Sequence, residues 1–184
     1  MFTLLIVGAA VFVALAVLIF AYALTQPDRF EVRRSTDVAA SAEAIFPLIN
    51  NLRSFKTWNP FDKRDPNIKG TYAGPDSGSG ASYAFESRVS GTGRVEIVEA
   101  LPSSKVIMRL TMIKPIAADN RVAFTLQPEG DTTRVTWAMD GEVPFVGKII
   151  HLVCSMDKMV GGEFEAGLAD LRAMAEKSSL SVVR

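Results

Sequence analysis

The most constraining stretch of this chain is its middle, where apolar and polar residues alternate one by one over successive segments. Ile68 to Ala73 is the first segment, and Ala81, Tyr83 and Phe85 mark the second. Val95 and Ile97 follow, then Val106, Met108, Leu110 and Met112. Val122, Phe124 and Leu126 mark the fifth segment, and Val135, Trp137 and Met139 the last. A period of two puts every second side chain on one face, so each segment reads as a half-buried strand. The turns are short: Gly74 to Gly80, Gly91-Thr92-Gly93, Leu101 to Ser104, Lys114 to Asp119 and Glu129-Gly130-Asp131. Strands joined this closely form an antiparallel meander. Glu86, Arg88, Arg94, Glu96, Arg109, Arg121 and Arg134 occupy the other alternants, which predicts a wet outer face.

A sheet with one apolar face must cover that face with another layer. The last part of the chain supplies it. Ile149, Val153, Met156, Val160, Phe164, Leu168 and Leu171 recur at spacings of three and four, the stripe of a long amphipathic helix. The phase of that stripe holds from Ile149, so the expected helix begins before Met156. Gly161 and Gly162 each cost about 1 kcal/mol against alanine without ending it. Two residues interrupt the apolar stripe. Gly167 falls at its centre, where the missing side chain admits a closely crossing strand or a ligand. Glu163 falls inside it, where a carboxylate must be paired, hydrated or protonated.

The chain opens with an uncharged run, Phe2 to Leu24. As a helix it is roughly 35 Å long, enough to cross a hydrocarbon core. Its length and the lack of a basic residue before it favour an uncleaved single-pass anchor over a signal peptide, although Ala21-Tyr22-Ala23 mimics a cleavage site. Arg29, Arg33 and Arg34 follow the span, which places the remaining chain on the cytoplasmic side. Gly8, Ala9, Ala10, Ala14 and Ala16 would let a neighbouring helix approach, so self-association or packing on a membrane protein complex is a further expectation.

The division expected is an anchor over 1–24, a linker over 25–29, a folded domain over 30–177 and a frayed tail over 178–184. Within the domain Phe30, Val32, Thr36 and Val38 alternate as a first strand. Ser41 reads as an N-cap, with Glu43 in the first turn of a short helix carrying Ile45, Leu48, Ile49 and Leu52. Asn50-Asn51 breaks that helix, and Leu52 to Trp58 forms a second one that ends before Pro60.

Formal charge excludes one class of partner and single residues exclude two kinds of site. Lys and Arg balance Asp and Glu at 20 each, so the chain lacks the basic face of a nucleic-acid binder. One cysteine, Cys154, forbids an internal disulfide, and one histidine, His151, excludes a zinc site built on several His and Cys ligands. No cofactor or metal is expected.

Five stretches carry a family resemblance: WNPF from Trp58, GSGASYAFES from Gly78, SGTGRVEIVEALPSSKV from Ser90, TRVTWAMDGEVP from Thr133 and MDKMVGGEFEAGLADL from Met156. In this order, over Phe30 to Lys177, the chain resembles the polyketide cyclase/dehydrase group of the START-like (SRPBCC, helix-grip) superfamily. The resemblance implies an α+β helix-grip fold, a curved seven-stranded antiparallel sheet around a long C-terminal helix, with the transmembrane helix added in front. It also implies a mostly apolar cavity between sheet and helix. Members bind lipids, sterols, polyketides, quinones or plant hormones, and a minority catalyse cyclisation or dehydration.

A cavity of that kind would be lined by Tyr83, Phe85, Met108, Met112, Phe124, Trp137 and Met139 from the sheet, and by Met156, Met159, Val160 and Glu163 from the helix. Trp58 and Phe61 would close its mouth. The same residues suit a solid core. The expected function is binding or transfer of a hydrophobic small molecule (a lipid, quinone or polyketide) at the bilayer. The alternatives are a cyclase or dehydratase on the same fold, and an accessory subunit of a larger membrane complex. Catalysis has little support. His151 and Cys154 fall off the stripe, and the glycine-rich Gly74 to Gly80 is a hairpin loop with no helix after it, so it is not a phosphate cradle. Glu163 and Tyr83 are the only acid/base candidates that aim at the cavity.

Overall fold

The computed structural model describes residues 2–151 and 155–182. Helix α1 (Phe2–Thr25) is one unbroken apolar rod. Strand β1 (Arg29–Val38) follows within four residues and leads to three short helices, α2 (Ala42–Asn50), α3 (Leu52–Trp58) and α4 (Pro60–Lys63). The meander comprises β2 (Lys69–Ala73), β3 (Ser82–Ser87), β4 (Gly91–Leu101), β5 (Lys105–Lys114), β6 (Ala118–Glu129) and β7 (Thr132–Glu142). Two helices close the chain, α5 (Phe145–His151) and α6 (Met156–Val182).

The seven strands form one antiparallel sheet in the order β1-β7-β6-β5-β4-β3-β2. The first strand therefore pairs with the last, Val32 opposite Met139 and Val38 opposite Thr133. Register shifts between Thr92 and Gly93, and between Ile97 and Glu99, bulge β4 against β5. Bulges of this kind bend a strand and raise its twist. The alternation does what it promised: Val106, Met108, Val122, Phe124, Val135 and Trp137 are buried, and Arg94, Arg109, Arg121 and Arg134 lie on the exposed side. α6 lies along β1 and reaches over β7, burying Phe164, Leu168, Leu171 and Ala175. The fold is the α+β helix-grip arrangement with an added apolar helix in front.

Local signals set the short helices. Ser41 Oγ accepts from Ala44 N at 3.3 Å, and Asn51 Oδ1 accepts from Arg53 N at 2.9 Å and Ser54 N at 3.2 Å. Each side chain satisfies donors that a helix start leaves open. Pro60 ends one helix and begins another, since at a first-turn position its missing N–H costs nothing.

Four expectations are corrected. The helical phase from Ile149 does not belong to one helix: α5 ends at His151, and α6 starts at Met156, where Ser155 caps it by accepting from Met159 N through its carbonyl at 3.1 Å. Gly91 opens β4 with φ +84°; the turn lies before it, over residues 88–90. α6 runs on to Val182 instead of fraying from Ser178, whose hydroxyl donates to the Met174 carbonyl at 3.0 Å. Trp58 does not stand at a mouth; it is 0% exposed and its Nε1 donates to the Leu48 carbonyl at 2.9 Å. Val153 and Cys154 lie outside the described residues, as does the side chain of His151.

Candidate functional site

The inward face of the sheet divides into two halves. In the half beneath the middle of α6, aromatic rings fill the space. Trp137 stacks on Phe164 with centroids 4.1 Å apart and planes 8° apart. Phe124 lies 5.0 Å from Trp137, and Trp58 meets both edge-on at 5.8 and 5.7 Å. Phe55 closes the cluster at 4.8 Å from Trp58. A Cβ on Gly167 would stand 2.8 Å from Trp137 Cζ3 and 2.9 Å from Pro60 Cδ. The glycine in the helix stripe thus makes room for a side chain of β7 and for the start of α4. Rings at these separations are in contact, and they leave no room for a guest.

The other half lies toward the first turn of α6. Along β5 the inward residues run from Val106 and Met108, at 0% and 1% exposed, to Leu110 and Met112, both half-buried. Phe30, Phe85, Val95, Met156 and Val160 share that half-buried state. Register puts Phe30, Gly141, Asn120, Leu110 and Val95 in one row across five strands. Apolar side chains on the covered face of a sheet stay half-exposed only where the cover is incomplete. This end is therefore the candidate apolar cleft, and it is the end at which the chain arrives from α1. Two surface depressions, one beside Leu52, Tyr72 and Pro75 and one along α1 at Leu18 and Tyr22, lie outside it.

The expected lining residues separate accordingly. Phe85, Met112, Met156 and Val160 border the cleft, with Met108 and Met139 buried as its floor. Phe124 and Trp137 belong to the packed aromatic half. Met159 is 49% exposed and turned off the sheet. Glu163 is ion-paired to Arg64, which answers the question its place in the stripe raised. Tyr83 is 4% exposed, stacked on Tyr72 at 4.7 Å, and its hydroxyl donates to Asp62 Oδ1 at 3.1 Å. Neither acid/base candidate is free.

Sequence reasoning missed Asp62 and Asp65, two aspartates that pin α4 and its following loop against β3. Asp62 accepts from Asn59 Nδ2 at 2.5 Å as well as from Tyr83, and Asp65 accepts from Ser87 Oγ at 2.8 Å and Asn67 N at 2.9 Å. Their environments act in opposite directions. Burial pushes the Asp62 carboxyl above its usual range, against the hydrogen bonds from Asn59 and Tyr83. The Ser87 hydroxyl, then the Asn67 amide, hold Asp65 below it. Burial, with Asp62 beside it, pushes the Tyr83 phenol well up, so it remains a proton donor at neutral pH. The run Asp62-Lys63-Arg64-Asp65 looks like a solvated charge cluster in sequence; only the return of β3 beside it reveals the anchors.

α5 fixes the cleft end to the apolar helix. Phe145 packs on Phe20 with centroids 5.0 Å apart, and Lys148 Nζ bonds Asp28 Oδ1 at 2.6 Å. Ala23, in the last turns of α1, is 0% exposed.

A seven-stranded antiparallel sheet gripping a C-terminal helix is the frame of a helix-grip protein. The family model described as polyketide cyclase / dehydrase and lipid transport matches residues 29–176, and the chain belongs to that family. No curated protein matches the chain. Solved structures share the fold at low identity. A hypothetical protein from Helicobacter pylori is 13% identical with TM-score 0.62, over 82% of this chain and 90% of its own. A protein from Chromobacterium violaceum is 15% identical with TM-score 0.56, over 80% and 98%. The di-domain aromatase/cyclase StfQ from the steffimycin biosynthetic pathway is 12% identical with TM-score 0.62, over 82% of this chain and 52% of its own.

Proposed function

We propose that the protein is a membrane-anchored binding domain that takes a hydrophobic small molecule between the bilayer and the cleft. The observation that carries this reading is a position: Phe30, Val95, Leu110 and Met156, all half-buried, lie at the end of the sheet that adjoins α1, a helix long and apolar enough to cross a bilayer. Phe30, in the cleft row, comes five residues after Thr25, the last residue of α1. Five exposed apolar side chains lie at the same end. Val89 sits in the β3–β4 turn, Ile113 and Ile116 at the β5–β6 connection, and Phe145 and Ile149 on α5. Large apolar groups left in water are unfavourable, and contact with lipid removes that cost. A ligand passing from bilayer to cleft would cross little water.

The family and the StfQ likeness also admit an enzyme of cyclase or dehydratase type, but Tyr83 and Glu163 are each engaged by protein partners. The binding reading places the domain on the cytoplasmic side, supported by Arg29, Arg33 and Arg34 after the span. Proteolysis of the domain in sealed vesicles of known orientation checks that side.

The test is native mass spectrometry of the full chain purified from its own membrane. A bound apolar molecule is expected, and Leu110→Trp, which fills the cleft, is expected to remove it while the protein still unfolds cooperatively. No bound molecule in either form overturns the reading. A stoichiometric protein partner in place of a bound molecule would favour the accessory-subunit alternative.

A further inference from the structure

Asn120 is the one polar side chain in the cleft row. Register places it between Leu110 on β5 and Gly141 on β7, with Val122 and Phe124 continuing the inward face behind it. It is 7% exposed, and its buried Oδ1 has no hydrogen-bond partner among the described residues. Burying an amide unpaired is costly, so a side chain in this state needs a reason. Gly141 provides the space. A Cβ there would stand 2.1 Å from Asn120 Oδ1, so the missing side chain of one strand seats the amide of the next. With Oδ1 seated against the Gly141 backbone, Nδ2 is the end of the amide that keeps some exposure, and it makes no hydrogen bond to a described residue.

We infer that Asn120 is the polar contact of the cleft and that its Nδ2 donates to an acceptor oxygen on an otherwise apolar, uncharged ligand. This rests on the binding reading above and deepens it. The acceptor is neutral because the Asn120 amide carries no charge to set against an anion, and Arg34 and Arg64 are already engaged, by Asp157 and Glu165 and by Glu163. A carboxylate would lose its hydration in an apolar cleft against an amide that is itself uncharged. A ketone, ester or quinone-type carbonyl meets both conditions.

The experiment uses the full chain in lipid nanodiscs and two pyrene-labelled probes, a long alkyl chain and the same chain with one mid-chain ketone. Energy transfer from Trp58 and Trp137 reports binding, and empty nanodiscs report partition into lipid. The wild-type protein is expected to bind the ketone about tenfold more tightly than the hydrocarbon, the worth of one well-formed hydrogen bond. Asn120→Leu is expected to bring the ketone down to the hydrocarbon level and leave the hydrocarbon unchanged. Gly141→Ala, which displaces the amide without altering it, is expected to do the same, and it carries the test if the first variant does not fold. A ketone preference that survives in a folded variant, or no preference in the wild type, overturns the role of Asn120 and leaves the cleft reading standing. No binding of either probe above empty nanodiscs overturns both.

Discussion

At the scale of single residues, two glycines and one aspartate show how context reverses an intrinsic preference. Alanine favours a helix interior over glycine by about 1 kcal/mol. Gly167→Ala is nonetheless expected to destabilise the protein by about 1–3 kcal/mol, because the new methyl meets Trp137 and Pro60 at less than contact distance. Gly162→Ala, with nothing within 4 Å of the added carbon, is expected to stabilise it. Urea unfolding of both variants checks the pair of signs. Asp62 gives a pH dependence. Burial raises its folded-state pKa above the unfolded value, so the folded protein holds that proton more tightly. The contribution of Asp62 is therefore fully present below the ordinary carboxylate pKa, is lost as pH rises to the raised value, and is flat above it. Asp62→Asn keeps an acceptor for Tyr83 and cannot titrate. The stability of the wild type relative to this variant is expected to fall across that window, and unfolding midpoints taken from pH 3 to 8 measure it. A difference independent of pH would contradict the assignment. Asn120 adds a third expectation: Asn120→Leu is expected to raise stability by about 1–2 kcal/mol, since it removes an unpaired buried amide.

At the scale of elements, the ends of the strands matter more than their middles. The β3–β4 turn carries Val89 exposed, the end of β5 and the connection after it carry Ile113 and Ile116, and α5 carries Phe145 and Ile149. If these form a lipid-facing rim, a bimane label at position 116, in a chain with Cys154 replaced, is expected to be quenched by lipids brominated near the interface. A label at position 130, in the β6–β7 turn at the opposite end of the sheet, is expected to be unaffected. Equal quenching at both positions would remove the rim. The ion pair between Lys148 and Asp28 joins α5 to the segment after α1, and the Lys148 ammonium holds the Asp28 carboxyl below its usual range. Asp28 is solvent-exposed, so this link orients the two elements more than it stabilises them.

At the scale of the whole molecule, one continuous core joins the sheet, the short helices and α6. β1 and β7 are distant in sequence and adjacent in space, so no half of the domain holds a complete core. Leu171→Ala, at 0% exposed, is expected to cost about 2–5 kcal/mol, and the loss is expected to appear equally in amide exchange of β5 and in fluorescence of Trp58 and Trp137. Separate transitions for the two reporters would mean the layers fold independently.

Periodicity by itself determined the layers of this protein. Alternation needs only neighbouring side chains on opposite sides of a strand, and a stripe needs only the turn of a helix, so the number of strands, the final helix and the apolar span were all legible. Caps at Ser41 and Asn51 were legible for the same reason, since a cap acts within a few residues. Which inward residues pack and which border a cleft was decided only by the fold. Met108 and Met112 have the same place in the pattern, yet one is 1% exposed and the other half-buried. Trp58 looked like a gate and proved to be core, because its ring meets Phe124 and Trp137 of the sheet and its Nε1 reaches the Leu48 carbonyl of α2. The split between α5 and α6, the anchors at Asp62 and Asp65, and the seat of Asn120 against Gly141 likewise depend on chain segments brought together from far apart. Local pattern tells a side chain which way to face; what it meets there is set by the register of strands that only the closed sheet defines.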